Sequence, residues 1–379
     1  MKKAFYIGIL LLALFEIVNV YFIMPMPRSQ QINSIDLAYF LYSYRWIFRG
    51  IFGILILLGL YPVLTSRRPW LPLIAAMPVA IIVYMFNFKM TADRMFLPPE
   101  QLLFKSRGEN TLSDSSVVVV VSNLLEAKAY PIRYIQYHHQ VRDTIAGKAI
   151  MVTYCNVCRT GRVFEPVIEE RIENFRLVGM DHFNAMFEDE TTKSWWRQAT
   201  GEAIAGPRKG KFLTEIESSQ YTLGKFFLLY PFGKVMQAEA RSKENYDTLG
   251  RFEKGKSKSN LTRTDTSSWN DKSWVVGIQL NDLSKAYDWN ELKAKRVIHD
   301  NIDHTPISVA LASDNQTFIA LERNHNEEFT IRNDSLVSMS RRIDFAGRSK
   351  DGSQVKLIKS YQEFWHSWKQ FHPRTYVHQ

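Results

Sequence analysis

Three long apolar segments in the first part of the chain constrain its fold more than any other feature of the sequence. They are Ala4 to Met24, Trp46 to Leu64 and Trp70 to Phe88. Each has close to the ~20 apolar residues that a helix needs to cross the hydrocarbon core of a bilayer. We therefore expect residues 1–90 to form a membrane anchor of three transmembrane α-helices. A cleaved signal peptide is the alternative for the first segment, but no small-residue cleavage site follows it and two further apolar segments do.

Basic residues near the ends of these segments predict the orientation in the membrane. Lys2 and Lys3 precede the first segment, and Arg67 and Arg68 lie in the loop between the second and the third. Both groups belong on the cytoplasmic side, so an odd number of spans places the rest of the chain outside the cytoplasm. Lys89 and Arg94 depart from this pattern, because they follow the third segment on the predicted outer side.

Charges inside or beside the apolar segments have two interpretations. Glu16, Arg45 and Arg49 could mark a functional site, or they could pair between helices and snorkel, which we favour. The formal net charge of the whole chain is +10. Because an extracytoplasmic domain would not meet nucleic acid, we expect the lipid bilayer as its partner and no nucleic acid. The sequence identifies no protein partner.

From about Thr111 the sequence changes to short runs rich in β-branched and aromatic residues, which predict strands. Ser115 to Asn123 and Lys148 to Tyr154 are two of these runs. The predicted helices are fewer: Pro131 to Gln140, Thr222 to Tyr230 and Ser360 to Phe371. The expected fold class is α+β: a β-rich soluble domain built from two degenerate repeats and preceded by three transmembrane α-helices.

The repeat emerges when the two halves of the soluble part are aligned without gaps. Lys128, Ala129, Tyr130 and Asp143 are among the residues that recur 157 positions later. The alignment predicts three regions: a first β-rich repeat at 111–238, a polar linker at 239–272 and a second, cysteine-free repeat at 273–379.

The only two cysteines of the chain, Cys155 and Cys158, fall in the first repeat as a Cys-x-x-Cys motif. The same alignment places them opposite Ala312 and Asn315, so the second repeat retains neither and offers no substitute. We infer that the first repeat carries the chemistry and the second one supports it.

Three roles for this motif remain open. A disulfide closing so short a loop would stabilise the fold by about 2 kcal/mol on the chain-entropy model. A thiol–disulfide redox centre usually has its first cysteine at a helix N-terminus, whereas Gly161 after the motif favours a hairpin. Two thiolates on a turn between strands are half of a soft-metal site, so copper or zinc is a candidate cofactor.

Histidines of the first repeat are the candidates for a further metal ligand. His138 precedes the predicted strand Lys148 to Tyr154 and the cysteines follow it, so contact requires the chain to fold back over about 23 Å. His182, in a turn between later strands, is a competitor. A lone histidine is more often structural than a ligand.

Three motifs resemble a bacterial family catalogued as domain of unknown function 3179. They read AYPIRYIQYHHQVRD, VTYCNVC and DETTKSWWRQATGEAIAG. The resemblance covers roughly Ala127 to the C-terminus and excludes the membrane segment; Asn156 stands where the family usually has proline. It implies a fold unit but no activity. Together with the apolar segments, it predicts a multi-pass protein of the bacterial cytoplasmic membrane with an extracytoplasmic soluble domain.

The third of these motifs has a functional and a structural interpretation. Asp189, Thr192, Ser194 and Gln198 could line a polar pocket beside Trp196. Alternatively, Asp189 caps a turn and the tryptophan fills the core, which we favour slightly. No Ser-His-Asp order, phosphate-binding glycine loop or HExxH motif is present, so catalytic residues remain unknown. The proposed centre is the Cys-x-x-Cys turn, as a metal site, a redox site or an inert disulfide in an interaction module.

Overall fold

The computed structural model describes residues 2–378 of the chain. Its α-helices are α1 (Lys2–Tyr21), α2 (Ile35–Ser43), α3 (Arg45–Leu64), α4 (Trp70–Tyr84), α5 (Ala92–Met95), α6 (Ile132–His138), α7 (Leu223–Leu229), α8 (Lys243–Leu249), α9 (Trp289–Lys295) and α10 (Trp365–Phe371). The strands are β1 (Phe104–Lys105), β2 (Val117–Ser122), β3 (Ala127–Pro131), β4 (Gln140–Ile145), β5 (Lys148–Cys155), β6 (Thr160–Phe164), β7 (Val167–Ile168), β8 (Arg171–Ile172), β9 (Phe175–Asp181), β10 (Asn184–Asp189), β11 (Trp195–Arg197), β12 (Ala203–Ala205), β13 (Ser219–Thr222), β14 (Lys234–Met236), β15 (Trp274–Leu280), β16 (Leu283–Asp288), β17 (Val297–Ile302), β18 (Thr305–Leu311), β19 (Phe318–Glu322), β20 (Thr330–Arg332), β21 (Ser335–Val337), β22 (Arg342–Ile343), β23 (Leu357–Ile358), β24 (Ser360–Phe364) and β25 (Tyr376–Val377).

The chain forms two compact units. Unit 1 comprises Met1–Leu97, Asn174–Arg197 and Glu202–Phe212. Unit 2 comprises Pro98–Glu173, Gln198–Gly201 and Leu213–Gln379. The sequence had predicted different boundaries, and these remain predictions.

Unit 1 contains three helices that are long and apolar enough to cross a membrane: Lys2–Tyr21, Arg45–Leu64 and Trp70–Lys89. The last of them is α4 continued by a π-helical turn. Helices α1 and α3 approach closely where the latter has a glycine, since a Cβ added to Gly59 would lie 2.3 Å from the backbone nitrogen of Phe5. Small residues at such crossings are typical of helices packed in membranes. Three apolar helices are compatible with the predicted membrane anchor.

A polar network joins these three helices. The guanidinium of Arg49 on α3 donates to both carboxylate oxygens of Glu16 on α1, at 2.7 and 2.8 Å. Asn87, in the π-helical turn, donates to the same carboxylate at 2.9 Å. Glu16 is fully buried, so its charge is balanced within the bundle, as the interpretation of pairing between helices predicts.

Unit 1 also contains a four-stranded antiparallel sheet in the order β12-β11-β10-β9. Strand β9 passes directly against the segment that follows α1: the amide of Met180 donates to the carbonyl of Ile23 at 2.7 Å. A Cβ added to Gly179 would lie 2.2 Å from that same carbonyl oxygen. Glycine is therefore required for this close approach.

Unit 2 contains two sheets with the same strand order. In one, β14-β3-β2-β13 carries β1 at its edge; the other is β25-β16-β15-β24. In both, the central pair is antiparallel, and β14 runs parallel to β3 as β25 runs parallel to β16. A second antiparallel sheet accompanies each of these: three-stranded β4-β5-β6 in one half and four-stranded β17-β18-β19-β23 in the other. The fold is thus mixed, with helices and several sheets.

The secondary structure predicted for unit 2 is largely confirmed, with one correction. The helix expected over Ser360 to Phe371 is wrong in its first half, which forms β24 and pairs with β15. Three buried residues end this strand before α10 begins. Short aromatic runs do not distinguish a strand from a helix by periodicity alone, and pairing with a distant strand decides the outcome.

Candidate functional site: a buried cysteine turn

Cys155 and Cys158 lie on the turn between two antiparallel strands. Cys155 is the last residue of β5 and pairs with Thr160, the first residue of β6. The chain reverses over the next residues, where Arg159 has a left-handed conformation with φ 58°. No helix begins at either cysteine. The predicted hairpin is confirmed, and neither thiol has a helix N-terminus to lower its pKa.

Both cysteines are completely buried, with 0% exposure, and are present as thiols. Burial raises the pKa of the Cys158 thiol well above its usual value, and the hydrogen-bonded thiol of Cys155 raises it further. A thiolate is the nucleophile in thiol exchange and the ligand in metal sites. This environment favours the protonated form instead.

A lysine and a histidine from the second half of unit 2 contact the backbone of this turn. The Lys272 ammonium donates to the carbonyls of Val157 at 3.0 Å and Leu261 at 2.7 Å. The His366 imidazole is 3.2 Å from the same Val157 carbonyl and 3.0 Å from the ammonium. Burial, together with the charge of Lys272, lowers the pKa of His366 to about 4. His366 is therefore neutral at pH 7 and braces the turn.

A buried carboxyl lies beside Cys158. The Ser367 hydroxyl donates to Glu363 at 2.9 Å and also forms a hydrogen bond with the Cys158 thiol. Burial raises the pKa of Glu363 to about 7 and outweighs the charge of Arg162, which is 3.6 Å away. That separation is longer than the 2.7–2.9 Å of a charge-assisted hydrogen bond. Among the described residues 2–378, Glu363 Oε2 has no hydrogen-bond partner.

Arg159, directly after Cys158, is also buried. Its guanidinium donates to the Gln362 side chain at 3.0 Å and to the carbonyls of Phe252 at 3.1 Å and Glu253 at 2.9 Å. It also stacks on the Trp274 ring at 3.7 Å from the centroid. Burial lowers its pKa to about 10. This arginine fixes the end of the hairpin to residues far along the chain.

The predicted histidine ligands have other hydrogen-bond partners. His138 ends α6, and its Nε2 is 2.6 Å from the Tyr246 hydroxyl. His182 belongs to unit 1, where its Nδ1 is 2.7 Å from Asp181 and its Nε2 is 2.9 Å from Asn33. Within residues 2–378, no group of three or more His, Cys, Asp or Glu side chains is placed to hold a metal ion.

The DETTKSWWRQATG motif is divided between the two units. In unit 1 the carboxylate of Asp189 accepts from the Thr192 amide at 2.6 Å and from the Trp196 indole at 2.9 Å. The Thr192 hydroxyl is 2.7 Å from that of Ser194. Asp189, Ser194 and Trp196 are fully buried. These contacts are those of a capped turn above a packed tryptophan.

Gln198, the last of the predicted pocket residues, belongs to unit 2 and supports the cysteine hairpin. Its amide donates to the Thr153 hydroxyl at 3.1 Å and to the Thr160 carbonyl at 3.2 Å. Both acceptors lie on the strands that flank the cysteine turn. Gln198 and the Cys-x-x-Cys motif are therefore close together in space.

A carboxylate closes the turn between β18 and β19 in the second half of unit 2. Asp314, between β18 and β19, accepts from the amides of Gln316 at 2.9 Å and Thr317 at 2.8 Å. It also accepts from the Thr317 hydroxyl at 2.6 Å. An aspartate can close a turn through its own side chain, and the expectation that the second half has no substitute for the cysteines remains a prediction.

Sequence reasoning did not identify the groups that surround the thiols. Glu363, Ser367 and His366 lie about 200 positions after the cysteines, and Lys272 was assigned to a linker. One signal was present: an acidic residue within the aromatic run YQEFW, where a buried strand rarely has a carboxyl.

A family profile described as protein of unknown function (DUF3179) matches residues 103–375. The match begins before Ala127, where the motif resemblance began, and it ends near the C-terminus. No curated protein and no solved structure matches the chain. The matched segment contains both halves of unit 2, the cysteine turn and the DETTKSWWRQATG motif. Because it spans most of the sequence, the chain belongs to the protein family of unknown function DUF3179.

Proposed function

We propose that this protein is a membrane-anchored binding module in which Cys155 and Cys158 form a structural disulfide. One observation carries the proposal: the two cysteine side chains are completely buried and are hydrogen-bonded to each other on the turn. A reactive or metal-binding cysteine requires the opposite, an accessible thiolate. Asp314 adds support, because the equivalent turn of the other half is closed by hydrogen bonds that have no redox role.

The disulfide would form as the protein folds in an oxidising compartment. Each cysteine loses one hydrogen, and the two electrons and two protons pass to an oxidant of the disulfide class, which becomes two thiols. The Cys155 and Cys158 side chains are hydrogen-bonded to each other, so the pair is already adjacent. Closing this short loop would add about 2 kcal/mol on the chain-entropy model.

The placement of the module belongs to the same proposal. We assign it to the bacterial cytoplasmic membrane as a multi-pass protein with unit 2 on the extracytoplasmic side, which the positions of Lys and Arg favour. The test is labelling of a Met339→Cys variant, an exposed position of unit 2, with an impermeant maleimide on spheroplasts. We expect labelling of intact spheroplasts. Labelling only after lysis would show that unit 2 lies on the cytoplasmic side.

A duplication of the soluble domain is also part of this proposal. Each half contains a lysine, a tyrosine and an aspartate at the same spacing: Lys128, Tyr130 and Asp143, then Lys285, Tyr287 and Asp300. In each half the aspartate accepts from the tyrosine hydroxyl, at 2.7 and 2.9 Å, and pairs with the lysine, at 3.0 and 2.6 Å. The matching strand orders also support two repeats of one unit.

Thiol–disulfide exchange is the second candidate, and the environment of Glu363 favours it. A carboxyl whose pKa is about 7 is connected through Ser367 to the Cys158 thiol, so it could accept that proton. The Cys158 thiolate would attack a substrate disulfide and release one thiol. Cys155 would then displace the second thiol and leave the Cys155–Cys158 disulfide. This route requires the turn to open first.

Soft-metal binding by Cys155 and Cys158, with copper or zinc, has less support. The two sulfur atoms supply half of a tetrahedral site, and the His138 ring nitrogen Nε2 already contacts Tyr246. A metal would require ligands that rearrange toward the cysteines or come from another molecule.

One experiment separates these three roles. The full chain is purified in detergent without reductant, and its metal content is determined. It is then denatured in the presence of iodoacetamide, which alkylates free thiols, and its mass is measured. We expect both cysteines to resist alkylation, a mass about two hydrogens below the dithiol, and no bound metal. Stoichiometric metal that a Cys155→Ser/Cys158→Ser variant lacks would overturn the proposal in favour of a metal site. A native disulfide that cycles rapidly with mild reductant would favour thiol exchange.

A further inference from the structure

We propose that a groove in unit 2 docks the soluble domain onto the anionic phospholipid surface of the bilayer. The inference rests on the proposed function, since it names the partner of the binding module. The groove, called here the loop groove, has a volume of about 1250 Å³. It lies between the β2–β3 loop (residues 122–127), the turn after α7 (229–234) and the segment 346–357 of the second half.

The rim of the loop groove presents apolar side chains to solvent. Leu124 is 104% exposed, Leu125 is 87% exposed and Phe232 is 97% exposed. A soluble protein surface seldom places three large apolar groups together in this way. Such a rim is suited to the boundary between headgroups and acyl chains, where apolar side chains become buried.

The local backbone fixes these side chains outward. The Asn123 carboxamide accepts from the amides of Leu125 and Glu126, both at 2.8 Å, and so shapes the β2–β3 loop. The Ser122 hydroxyl donates to the Tyr230 hydroxyl at 3.0 Å and joins this loop to the turn after α7. The exposed leucines therefore belong to an ordered loop. Hydrogen bonds hold the shape of this loop, so it does not require the leucine side chains to be buried.

Basic side chains line the same groove. Lys234 and Lys350 are exposed, and neither forms an ion pair within residues 2–378. Arg348 is held in place by the Leu229 carbonyl at 2.7 Å. Of the two acidic residues that line the groove, Glu126 already accepts from the Ala146 amide at 2.8 Å. The other is Glu217. The lysines are thus available to phosphate groups.

Apolar tips beside lysines fit a bilayer surface better than other occupants. A soluble anion would contact the lysines but leave Leu124, Leu125 and Phe232 exposed. An apolar peptide would cover these three side chains but leave the lysines without an anionic partner. Basic residues near a membrane are attracted to anionic headgroups, and inserted apolar residues add to that attraction. The three apolar helices of the same chain keep a bilayer within reach of the domain.

The test uses the full chain in lipid nanodiscs. A Leu125→Cys variant is labelled with an environment-sensitive fluorophore, and lipids with a quencher at the headgroup boundary are included. The matched control is Met339→Cys, a position that is 109% exposed and does not line the groove. The native cysteines should not react with the fluorophore, because both are completely buried. Wild type treated with the same fluorophore verifies that they remain unlabelled.

We expect at least twofold more quenching at position 125 than at 339 in nanodiscs containing phosphatidylglycerol. In phosphatidylcholine alone, and in a Lys234→Glu/Lys350→Glu background, quenching at 125 should fall toward that at 339. Equal quenching at both positions, or no effect of lipid charge and charge reversal, would overturn the inference. The thiol state is measured on the same sample. A redox-active cysteine pair together with a quenched label at position 125 would contradict the proposed function and leave the docking inference intact. An inert disulfide together with an unquenched label would contradict docking and leave the proposed function intact.

Discussion

Replacing Glu363 by glutamine should stabilise the protein at high pH and leave its stability unchanged at low pH. The carboxyl is completely buried, and its pKa is raised to about 7 from the ordinary value of 4.5. The folded protein therefore holds this proton more tightly than the unfolded chain does. The stabilising effect is complete below pH 4.5 and is lost as the pH rises through 7.

The size of the effect follows from the two pKa values. Each pH unit between 4.5 and 7 lowers the free energy of unfolding by about 1.4 kcal/mol, which gives about 3 kcal/mol by pH 8. Glutamine has nearly the same shape, and its carbonyl oxygen can still accept from Ser367. Because glutamine is never charged, the variant should be about 3 kcal/mol more stable than wild type at pH 8 and equally stable at pH 4.5.

The assay is thermal unfolding of the full chain in detergent from pH 4.5 to 8, with the cysteines in one defined redox state. For a chain of this size, 3 kcal/mol corresponds to a rise of the unfolding midpoint of about 4 °C. Glu244→Gln, an exposed carboxylate on α8, is the control and should show no comparable dependence on pH. A Glu363→Gln variant that is less stable than wild type at pH 8 would refute the reasoning, because it would mean that an ionised Glu363 is held by Arg162.

Two further experiments test the packing and the polar contacts of the two halves. In Gly277→Ala, the new Cβ would lie 2.2 Å from the buried Trp368 ring, so the variant should lose about 1–3 kcal/mol or more; Gly108→Ala, with nothing within 4 Å, should lose little, and equal losses would contradict the close approach. Tyr130→Phe and Tyr287→Phe each remove one hydroxyl that donates to an aspartate, at 2.7 and 2.9 Å. Urea unfolding should show similar losses of about 1–3 kcal/mol, whereas a loss in one half alone would contradict equivalent roles.

Local sequence was sufficient to predict the cysteine hairpin, because its two strands and its turn are neighbours along the chain. Lys148 to Tyr154 has the β-branched and aromatic composition of a strand, and Gly161 follows the motif. Antiparallel pairing of adjacent strands needs only such local information. The same argument explains why α6 and α7 were predicted correctly.

The groups that surround the thiols could not be predicted in this way. Arg159 contacts Gln362, 203 positions further on, and Lys272 contacts Val157 across 115 positions. Sequence patterns give no spacing for such contacts, because they depend on how the two halves of unit 2 pack. The protonation state of Cys158 could not be predicted either. Its pKa depends on burial and on neighbours, such as Glu363 and Ser367, that the motif does not contain.

The β5–β6 turn and the β18–β19 turn of unit 2 differ in what their closure depends on. Hydrogen bonds that the Asp314 carboxylate accepts close the β18–β19 turn whether or not the compartment is oxidising. A disulfide between Cys155 and Cys158 would close the β5–β6 turn only where the thiols are oxidised. Removing the cysteines should therefore loosen one half and not the other. In a Cys155→Ala/Cys158→Ala variant we expect faster amide hydrogen exchange over β5 and β6, with exchange over β18 and β19 unchanged. Equal acceleration in both halves would mean that the pair supports the domain as a whole, and no change would mean that the turn is held by its hydrogen bonds alone.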